Sequence, residues 1–537
     1  MAVEFVHTGE HPAPTRDAHA TAGPAGAPST VPQALHGTAQ NSGGVEALVD
    51  GDVRLTHADL LAEVERVASA LLARGMRPGD TLAIWAPNSA RWALTALGAM
   101  YVGVVVVPVN TRYRGEETRD LVVRSRAAAL AVEQGFLGKD QLGMLAEAGD
   151  TPDLHTVIDL GDTSAPAALP WRDFLSGATG ALRDRARTLS GQVDEHTVLQ
   201  VMFTSGSTGR PKGVPHTHGQ VVRLYDRYSA TLGLRTADRY LLVNPFFHSF
   251  GLMAGLLSCV LRGATALPMR TLDTARALEL AEHERVTGIP GPPTLYASLM
   301  NDPTRPGRDL SSLRLAVTGA SVIPSELIRR MRSDLGFTDI LTAYGLTEAT
   351  GAVTMCRLGD PDTVVEGTSG RAIEGVEVRI DPLGDDGTGE ILVRGFNVMH
   401  GYLENPDATA KAVDADGWLH TGDVGRLDEQ GNLHITDRLG DMFIVGGFNV
   451  YPAEIEQLLC RHPMVSEAAV VGAPDPRMGE VGRAFVVPRR GAAPTEEELL
   501  AWCSERLANF KVPRSVELLA ALPRAASGKV AKSRLGG

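Results

Sequence analysis

The chain has 537 residues, which is too long for one compact hydrophobic core and indicates two or more domains. Its hydrophobic content of 43% and charged content of 21% are those of an ordinary globular protein. A formal net charge of -13 argues against nucleic acid or an anionic membrane as the main partner, and no apolar run approaches the roughly 18 residues of a transmembrane helix.

The first elements alternate between helices and apolar strands. Residues 1–30 are rich in Ala, Pro, Thr, Gly and His, and we interpret them as a disordered tail. A 3.6-residue apolar period over 55–71 then predicts a helix. Residues 81–86 form an apolar strand, 87–89 cap a second helix, and 104–107 form another strand. This order predicts a parallel βαβ unit that is buried on both faces.

Further strands are predicted at 198–203, 313–317 and 339–343. After residue 376 the sequence pattern changes to short apolar strands between Gly/Asp turns, and the last hundred or so residues are predicted to form a separate unit. The expected fold is therefore α/β. A large N-terminal domain with parallel βαβ-type sheets and a β-rich subdomain is followed by a small mobile α+β C-terminal domain.

Four cysteines, at 259, 356, 460 and 503, are scattered without a CxxC pair. We therefore expect neither a disulfide framework nor a zinc site, and a reducing, cytoplasmic environment. His216 and His218 lie close together in the sequence, but a metal site is not expected there, because no third ligand is nearby.

The sharpest motif is TSGSTGRPKG at 204–213, directly after an apolar strand. Small residues let the backbone bend around phosphates, N–H groups and hydroxyls can donate to them, and Lys212 adds a positive charge. The motif is not a Walker A loop, because Lys212 follows Pro211 and no GK[ST] ending is present. Taken alone, it is equally compatible with a Gly/Ser-rich surface turn.

The loop resembles the phosphate-binding motif of the adenylate-forming superfamily, which contains acyl- and aryl-CoA synthetases, peptide-synthetase adenylation domains and luciferases. Four more segments match in the family order: YGLTE at 344–348, GWLHTGD at 417–423, the stretch 437–452, and PRAASGK at 523–529. The chain is most similar to actinobacterial fatty-acid-type CoA ligases, including those that activate the propanoate side chain of steroid-ring fragments.

This resemblance implies a complete ATP site. The implied contacts are Thr204, Ser205, Gly206, Ser207, Thr208, Gly209 and Lys212 for the β- and γ-phosphates, Gly319, Ala320, Ser321, Thr342, Ala343, Tyr344 and Gly345 for adenine, Thr347 for the α-phosphate, and Asp423 with Arg438 for ribose. Glu348 would bind Mg²⁺, because a hard cation prefers oxygen ligands.

The catalytic residues implied by the resemblance are Lys529, His248, Thr347 and Glu348. Lys529 would bridge the attacking carboxylate and the α-phosphate while negative charge builds. His248, within PFFHSFG, would line or gate the carboxylate site. The resemblance also implies that the C-terminal unit takes two orientations, one for each half-reaction. One orientation places Lys529 at the α-phosphate, and in the other the pantetheine of CoA would pass Gly446 and Gly447.

The implied domains are an AMP-binding domain at 31–437, a hinge at 438–440 and a lid domain at 441–537. The hinge residue of the family is usually Asp or Lys, and here Gly440 takes its place. Glycine keeps the backbone freedom that a pivot needs. Any contact made by a charged side chain is lost.

The acid pocket is expected along 247–253, at Gly319 and Ala320, and at Leu346 and Thr354. Small residues at 319 and 320 leave depth for a long or ring-bearing acid. No Asp lies in the region where amino-acid-activating domains hold the substrate ammonium, which disfavours amino acids.

The predicted function is that of an ATP-dependent acid–CoA ligase. The acid and ATP would give acyl-AMP and pyrophosphate, and CoA would then take the acyl group and release AMP. ATP, Mg²⁺ and CoA are the expected cofactors, and the substrate is a fatty or ring-containing carboxylic acid. Two alternatives remain: a stand-alone adenylating enzyme that transfers the acyl group, or another oxyanion, to a carrier protein or an amine, and a non-catalytic AMP sensor or scaffold. The presence of Lys529 argues against the second, because a binding module does not need it. A homodimer is the oligomeric state considered; nucleic acid and membrane spans are not expected.

Overall fold

A computed structural model describes residues 27–161, 163, 165–204, 210–319, 325–382, 387–438, 443–450, 452–523, 530 and 532–535. Its helices are α1 (Val31–Ser42), α2 (His57–Ala73), α3 (Ala90–Tyr101), α4 (Gly115–Arg124), α5 (Gln141–Glu147), α6 (Trp171–Ser176), α7 (Gly180–Ser190), α8 (His218–Thr231), α9 (Ser249–Gly251), α10 (Ser258–Arg262), α11 (Thr274–His283), α12 (Pro293–Asn301), α13 (Ser325–Leu335), α14 (Asp362–Gly367), α15 (Pro406–Ala412), α16 (Pro452–Cys460) and α17 (Glu496–Arg506).

The strands are β1 (Glu46–Asp50), β2 (Val53–Thr56), β3 (Thr81–Trp85), β4 (Val105–Pro108), β5 (Ala127–Val132), β6 (Thr156–Asp159), β7 (Leu169–Pro170), β8 (Val198–Thr204), β9 (Lys212–Thr217), β10 (Arg239–Leu242), β11 (Thr265–Pro268), β12 (Gly288–Pro290), β13 (Leu315–Gly319), β14 (Asp339–Tyr344), β15 (Thr354–Met355), β16 (Arg371–Ala372), β17 (Val376–Pro382), β18 (Gly389–Gly395), β19 (Leu419–Leu427), β20 (Leu433–Arg438), β21 (Phe443–Val445), β22 (Phe448–Val450), β23 (Val465–Asp475), β24 (Gly479–Pro488) and β25 (Ser515–Leu518).

Two large sheets form the N-terminal part. One has the strand order β16-β15-β14-β13-β12-β10-β11-β1-β2, and the other has the order β7-β6-β5-β3-β4-β8-β9. Their central pairs are parallel, as in β3 with β4 and β13 with β14. The predicted βαβ unit is therefore confirmed as β3-α3-β4, and every residue of β3 is buried, as expected for a strand covered on both faces.

Helix α2 shows how the local sequence sets an element. Thr56 and Asp59 form a capping box in which each side chain accepts a hydrogen bond from the backbone of the other. The apolar period then buries Val64 and Val67 fully. Helix α3 approaches closely at Gly98, because a Cβ there would lie 2.6 Å from Val67 Cγ1.

Two smaller sheets follow. Strands β17-β18-β19-β20 form an antiparallel sheet, which confirms the predicted β-rich subdomain. Strands β22-β21-β24-β23, with β25 beside β24, join α16 and α17 in the predicted α+β unit. Leu439 and Gly440 of the implied hinge lie outside the described residues, as do residues 1–26 of the implied tail, so the domain boundaries stay predictions.

One hydrophobic cluster runs from the N-terminal domain into the C-terminal unit. Tyr113 and Leu121, in and before α4, share it with Ile455 of α16 and Phe510 after α17. The C-terminal unit therefore lies against α4.

None of the described helices combines the length and apolar character that crossing a bilayer would require.

Candidate active site

The adenine segments meet where β13 and β14 end. Gly319 lies opposite Ala343 in this parallel pair, and a Cβ at Gly319 would lie 2.3 Å from the Ala343 carbonyl oxygen. At Gly345, a Cβ would lie 2.4 Å from the Gly351 carbonyl oxygen. Both positions therefore require glycine for close backbone approach. Ala320 and Ser321 lie outside the described residues.

Two side chains near this edge are turned into the interior. Thr342 is buried and donates its hydroxyl to the Thr368 carbonyl at 2.8 Å, so its backbone is the part left for a nucleotide. Thr354, expected in the acid pocket, is also buried and donates to the Ser369 carbonyl at 2.7 Å.

A predicted adenine residue and a predicted ribose residue meet here from two different sheets. The Tyr344 hydroxyl at the end of β14 donates to Asp423 Oδ2 of β19 at 2.6 Å, and both side chains are buried. Asp423 lies opposite Arg438 in the β19–β20 pair. A carboxylate accepts hydrogen bonds from hydroxyl groups, and the bond from Tyr344 fixes its orientation. The structure thus brings the predicted adenine and ribose residues together.

The phosphate end joins four side chains. Thr204 and Lys212 face each other across the β8–β9 pair, and Thr204 donates to Glu348 Oε1 at 3.5 Å. Tyr402 donates to the same oxygen at 2.9 Å, and its ring lies 4.6 Å from Lys212 Nζ. Tyr402 therefore contacts a cation with its ring face and a carboxylate with its hydroxyl. The loop residues 205–209 lie outside the described residues.

His216 holds Thr347 in place from the interior. Its Nδ1 accepts from Gln200 Nε2 at 3.2 Å, which leaves Nε2 as the donor to the Thr347 carbonyl at 2.7 Å. Burial lowers the pKa of His216 to about 4, so the ring stays neutral at physiological pH. His218 instead accepts the Val31 N–H at 3.2 Å, and burial lowers its pKa to about 3. The two histidines thus serve separate structural roles.

His248 is the residue that precedes and caps α9, and it is exposed. Its Nδ1 accepts the Phe250 N–H at 3.2 Å, and desolvation by the surrounding protein lowers its pKa. The neutral ring therefore carries its proton on Nε2 and can donate to an anionic acid. Asn88 braces the preceding segment, because its Oδ1 accepts the Phe246 N–H at 2.7 Å while its Nδ2 donates to the Asn244 carbonyl at 2.8 Å.

A glycine turn of the C-terminal unit lies at the same end. Gly446 and Gly447 connect β21 to β22 with φ angles of 57° and 88°. A Cβ at Gly447 would lie 3.7 Å from Pro292 Cγ, and the Phe448 ring lies 6.4 Å from the Phe247 ring. The structure thus places the predicted CoA residues beside the segment that carries His248. Lys529 lies outside the described residues.

Comparison with known protein families identifies the family of this chain. Residues 35–403 match the family described as "AMP-binding enzyme", and residues 454–529 match the family described as "AMP-binding enzyme C-terminal domain". This chain belongs to the AMP-binding enzyme family.

Similar proteins extend over almost the whole AMP-binding enzyme. A 3-[(3aS,4S,7aS)-7a-methyl-1,5-dioxo-octahydro-1H-inden-4-yl]propanoyl:CoA ligase of Rhodococcus jostii is 49% identical, covering 95% of this chain and 98% of the relative. A ligase of the same name from Mycobacterium tuberculosis is 47% identical, covering 94% and 98%. The solved structure of amide bond synthetase McbA from Marinactinospora thermotolerans has a TM-score of 0.79 and 29% identity, covering 94% and 99%.

The predicted enzyme class is confirmed by these findings. This AMP-binding enzyme is an acyl-CoA ligase that uses ATP and CoA, and it works through adenylation followed by thioester formation. Its site also contains residues that the sequence analysis did not assign: Asn88, Gln200 and Tyr402. Neither Gln200 nor Tyr402 carries a sequence signal of its own, because each acts through a contact with another segment, 16 residues away for Gln200 and 54 residues away for Tyr402. Asn88 lies in the predicted cap at 87–89.

Gly319→Ala is expected to destabilise the AMP-binding enzyme by about 1–3 kcal/mol and to raise its KM for ATP, because the new Cβ meets backbone rather than a movable side chain. Thermal unfolding and steady-state kinetics measure both effects. Gly180→Ala is the matched control, since nothing lies within 4 Å of a Cβ at Gly180. Equal behaviour of the two variants would show that β13 and β14 separate without cost.

Tyr402→Phe is expected to slow acyl-AMP formation about fivefold, because Glu348 loses the hydroxyl that orients it. The ring beside Lys212 remains in this variant. Tyr402→Leu removes that ring as well and should be slower than Tyr402→Phe. Single-turnover rates of pyrophosphate release test the order, and an unchanged rate in Tyr402→Phe would contradict the orienting role of the hydroxyl.

Proposed function

We propose that this ligase activates the propanoate side chain of a partly oxidised, fused two-ring hydrocarbon. The observation that carries the proposal is the shared name of the two ligases at 49% and 47% identity, which are matched over nearly their full length. The described surroundings support it. Phe247, the chain neighbour of His248, stacks with Phe448 with ring centres 6.4 Å apart, and aromatic surface beside the expected carboxylate site suits a rigid ring system.

The proposed first step joins the acid to AMP. The carboxylate oxygen attacks the α-phosphorus of ATP, and pyrophosphate leaves. His248 donates from Nε2 to the bound carboxylate, Thr347 contacts the α-phosphate, and Lys212 faces the departing phosphates. Asp423, held by Tyr344, accepts the ribose hydroxyls. In the second step the CoA thiol takes the acyl group and AMP is released.

Mg²⁺ is the metal that we propose for the first step. Glu348 presents one carboxylate beside the Thr204 and Tyr402 hydroxyls. That set fits Mg²⁺, which is commonly bound by one or two carboxylates together with substrate phosphates. The cation would neutralise charge on the phosphates.

The substrate is tested with a panel of acids. The purified protein is incubated with ATP, Mg²⁺, CoA and one acid: the methyl-dioxo-octahydroindenyl propanoate, a medium-chain or long-chain fatty acid, or an aryl acid. Mass spectrometry follows AMP and acyl-CoA. We expect kcat/KM for the two-ring propanoate to exceed that for each fatty acid by at least tenfold. A clear preference for an unbranched chain would contradict the proposal.

The acceptor is tested by omitting CoA from the same assay. Without CoA, acyl-AMP should accumulate to about one equivalent of enzyme and turnover should stop. The fold is shared with an amide bond synthetase, so the assay also includes an amine as an acceptor. Continued turnover with an amine or a carrier protein, and no gain from CoA, would favour that acceptor. A cytoplasmic location and a homodimer remain predictions from the sequence.

A further inference from the structure

A buried lysine lies between the two units of the chain. Lys511 follows α17 and is 2% exposed. Its Nζ donates to Glu117 of α4 at 2.9 Å and to Glu454 of α16 at 2.8 Å. The ammonium also lies 4.5 Å from the centre of the Tyr113 ring. Lysine and glutamate are rarely buried unless they are paired, so the burial of Lys511 depends on its ion pairs with Glu117 and Glu454.

The charges of the cluster depend on one another. Burial raises the pKa of Glu117, while Lys511 and the Arg114 N–H at 2.9 Å favour its ionised form. The two carboxylates hold the pKa of Lys511 well above its ordinary value despite burial. Removing one partner of a buried ion pair leaves an uncompensated charge, which is the strongly destabilising case.

The three partners belong to different units. Lys511 and Glu454 both lie in the C-terminal unit, whereas Glu117 lies in the N-terminal domain. If the C-terminal unit rotates, Lys511 and Glu454 move together and Glu117 stays behind. The contact between Glu117 and Lys511 therefore marks one arrangement of the two units.

A row of aromatic rings connects Lys511 to the segment that carries His248, where the acid is expected to bind. Phe510, the neighbour of Lys511, lies against Phe448 with ring centres 4.6 Å apart. Phe448 follows the turn at Gly446 and Gly447 and faces Phe247 at 6.4 Å. Holding Lys511 on α4 therefore holds the glycine turn beside the acid site.

We propose that Glu117 and Lys511 are positioning residues for the thioester step, because their ion pair holds the C-terminal unit where the glycine turn borders the acyl group. This inference rests on CoA as the acceptor. In that step the thiol sulfur bonds to the acyl carbonyl carbon and the bond from that carbon to the phosphate oxygen breaks. AMP leaves with the electron pair, and the thiol proton passes to solvent. Neither Glu117 nor Lys511 takes part in these bond changes.

The half-reactions of Glu117→Gln provide the first test. Thioester formation from supplied acyl-AMP and CoA should fall about tenfold, because the buried ammonium loses its charged partner on α4. Acyl-AMP formation without CoA should stay within about twofold of wild type. Glu116→Gln is the matched control, since Glu116 is the exposed neighbour on the same helix and carries the same charge. Equal losses in both half-reactions, or none in either, would overturn the proposal.

A cross-link tests the arrangement without reference to the acceptor. Arg112 Nη1 donates to Asn509 Oδ1 at 3.4 Å, so these two positions lie on opposite units within reach of one arginine side chain. In a Cys460→Ser background, which removes the exposed native thiol, a bis-maleimide with a spacer of similar length to an arginine side chain should link Arg112→Cys to Asn509→Cys by alkylating both thiols. Glu117→Gln should lower the linking rate about tenfold, whereas Glu116→Gln should not. An unchanged linking rate overturns the positioning role even if the acceptor is not CoA. A wild-type enzyme that makes acyl-AMP but no acyl-CoA refutes the CoA acceptor alone.

Discussion

Lys529→Ala is expected to slow acyl-AMP formation by about a hundredfold or more, the scale of losing one donor that acts in the transition state. Lys529 belongs to the PRAASGK motif and lies outside the described residues, so its role is a prediction from the resemblance. Thioester formation from supplied acyl-AMP should be far less affected, because the α-phosphate has already reacted.

The two half-reactions are measured separately by rapid quench with radiolabelled ATP and with synthetic acyl-AMP. Lys532→Ala is the control, because Lys532 donates to Glu456 Oε1 of α16 at 2.8 Å and so serves the C-terminal unit itself. This control should retain adenylation within about threefold. Equal loss of both half-reactions in Lys529→Ala would contradict the role assigned to Lys529.

Local features of the fold could be predicted from the sequence. The helix predicted over 55–71 and the cap predicted at 87–89 depend on residues within a few turns of one another, and the structure contains both, as α2 and as Ser89 at the start of α3. The order of strands in the two large sheets could not be predicted, because it depends on contacts between distant segments such as β4 with β8.

Some residues of the candidate site could likewise be predicted from the sequence, and others could not. Thr204, Lys212 and Glu348 carry recognisable motifs, and the structure brings them together. Tyr402 does not, since its role depends on a contact made 54 residues away along the chain. Lys511 reads in the sequence as an ordinary loop lysine. Its burial comes from Glu117, 394 residues away, and from Glu454, 57 residues away.

Glu348→Gln is expected to slow acyl-AMP formation about a hundredfold, because it removes the carboxylate charge that we assign to Mg²⁺. The change is nearly isosteric. The glutamine carbonyl oxygen still accepts from Tyr402, whose hydroxyl lies 2.9 Å from Glu348 Oε1. The variant therefore separates loss of charge from loss of packing.

Acyl-AMP formation is measured across a range of Mg²⁺ concentrations. If Glu348 binds the metal, the Mg²⁺ concentration for half-maximal rate should rise in Glu348→Gln, and high Mg²⁺ should restore part of the rate. Glu374→Gln is the matched control, because Glu374 has an exposed side chain and the same charge. A slow rate that does not respond to Mg²⁺ would instead mean that the carboxylate charge of Glu348 acts without binding the metal. An unchanged rate would remove it from the site altogether.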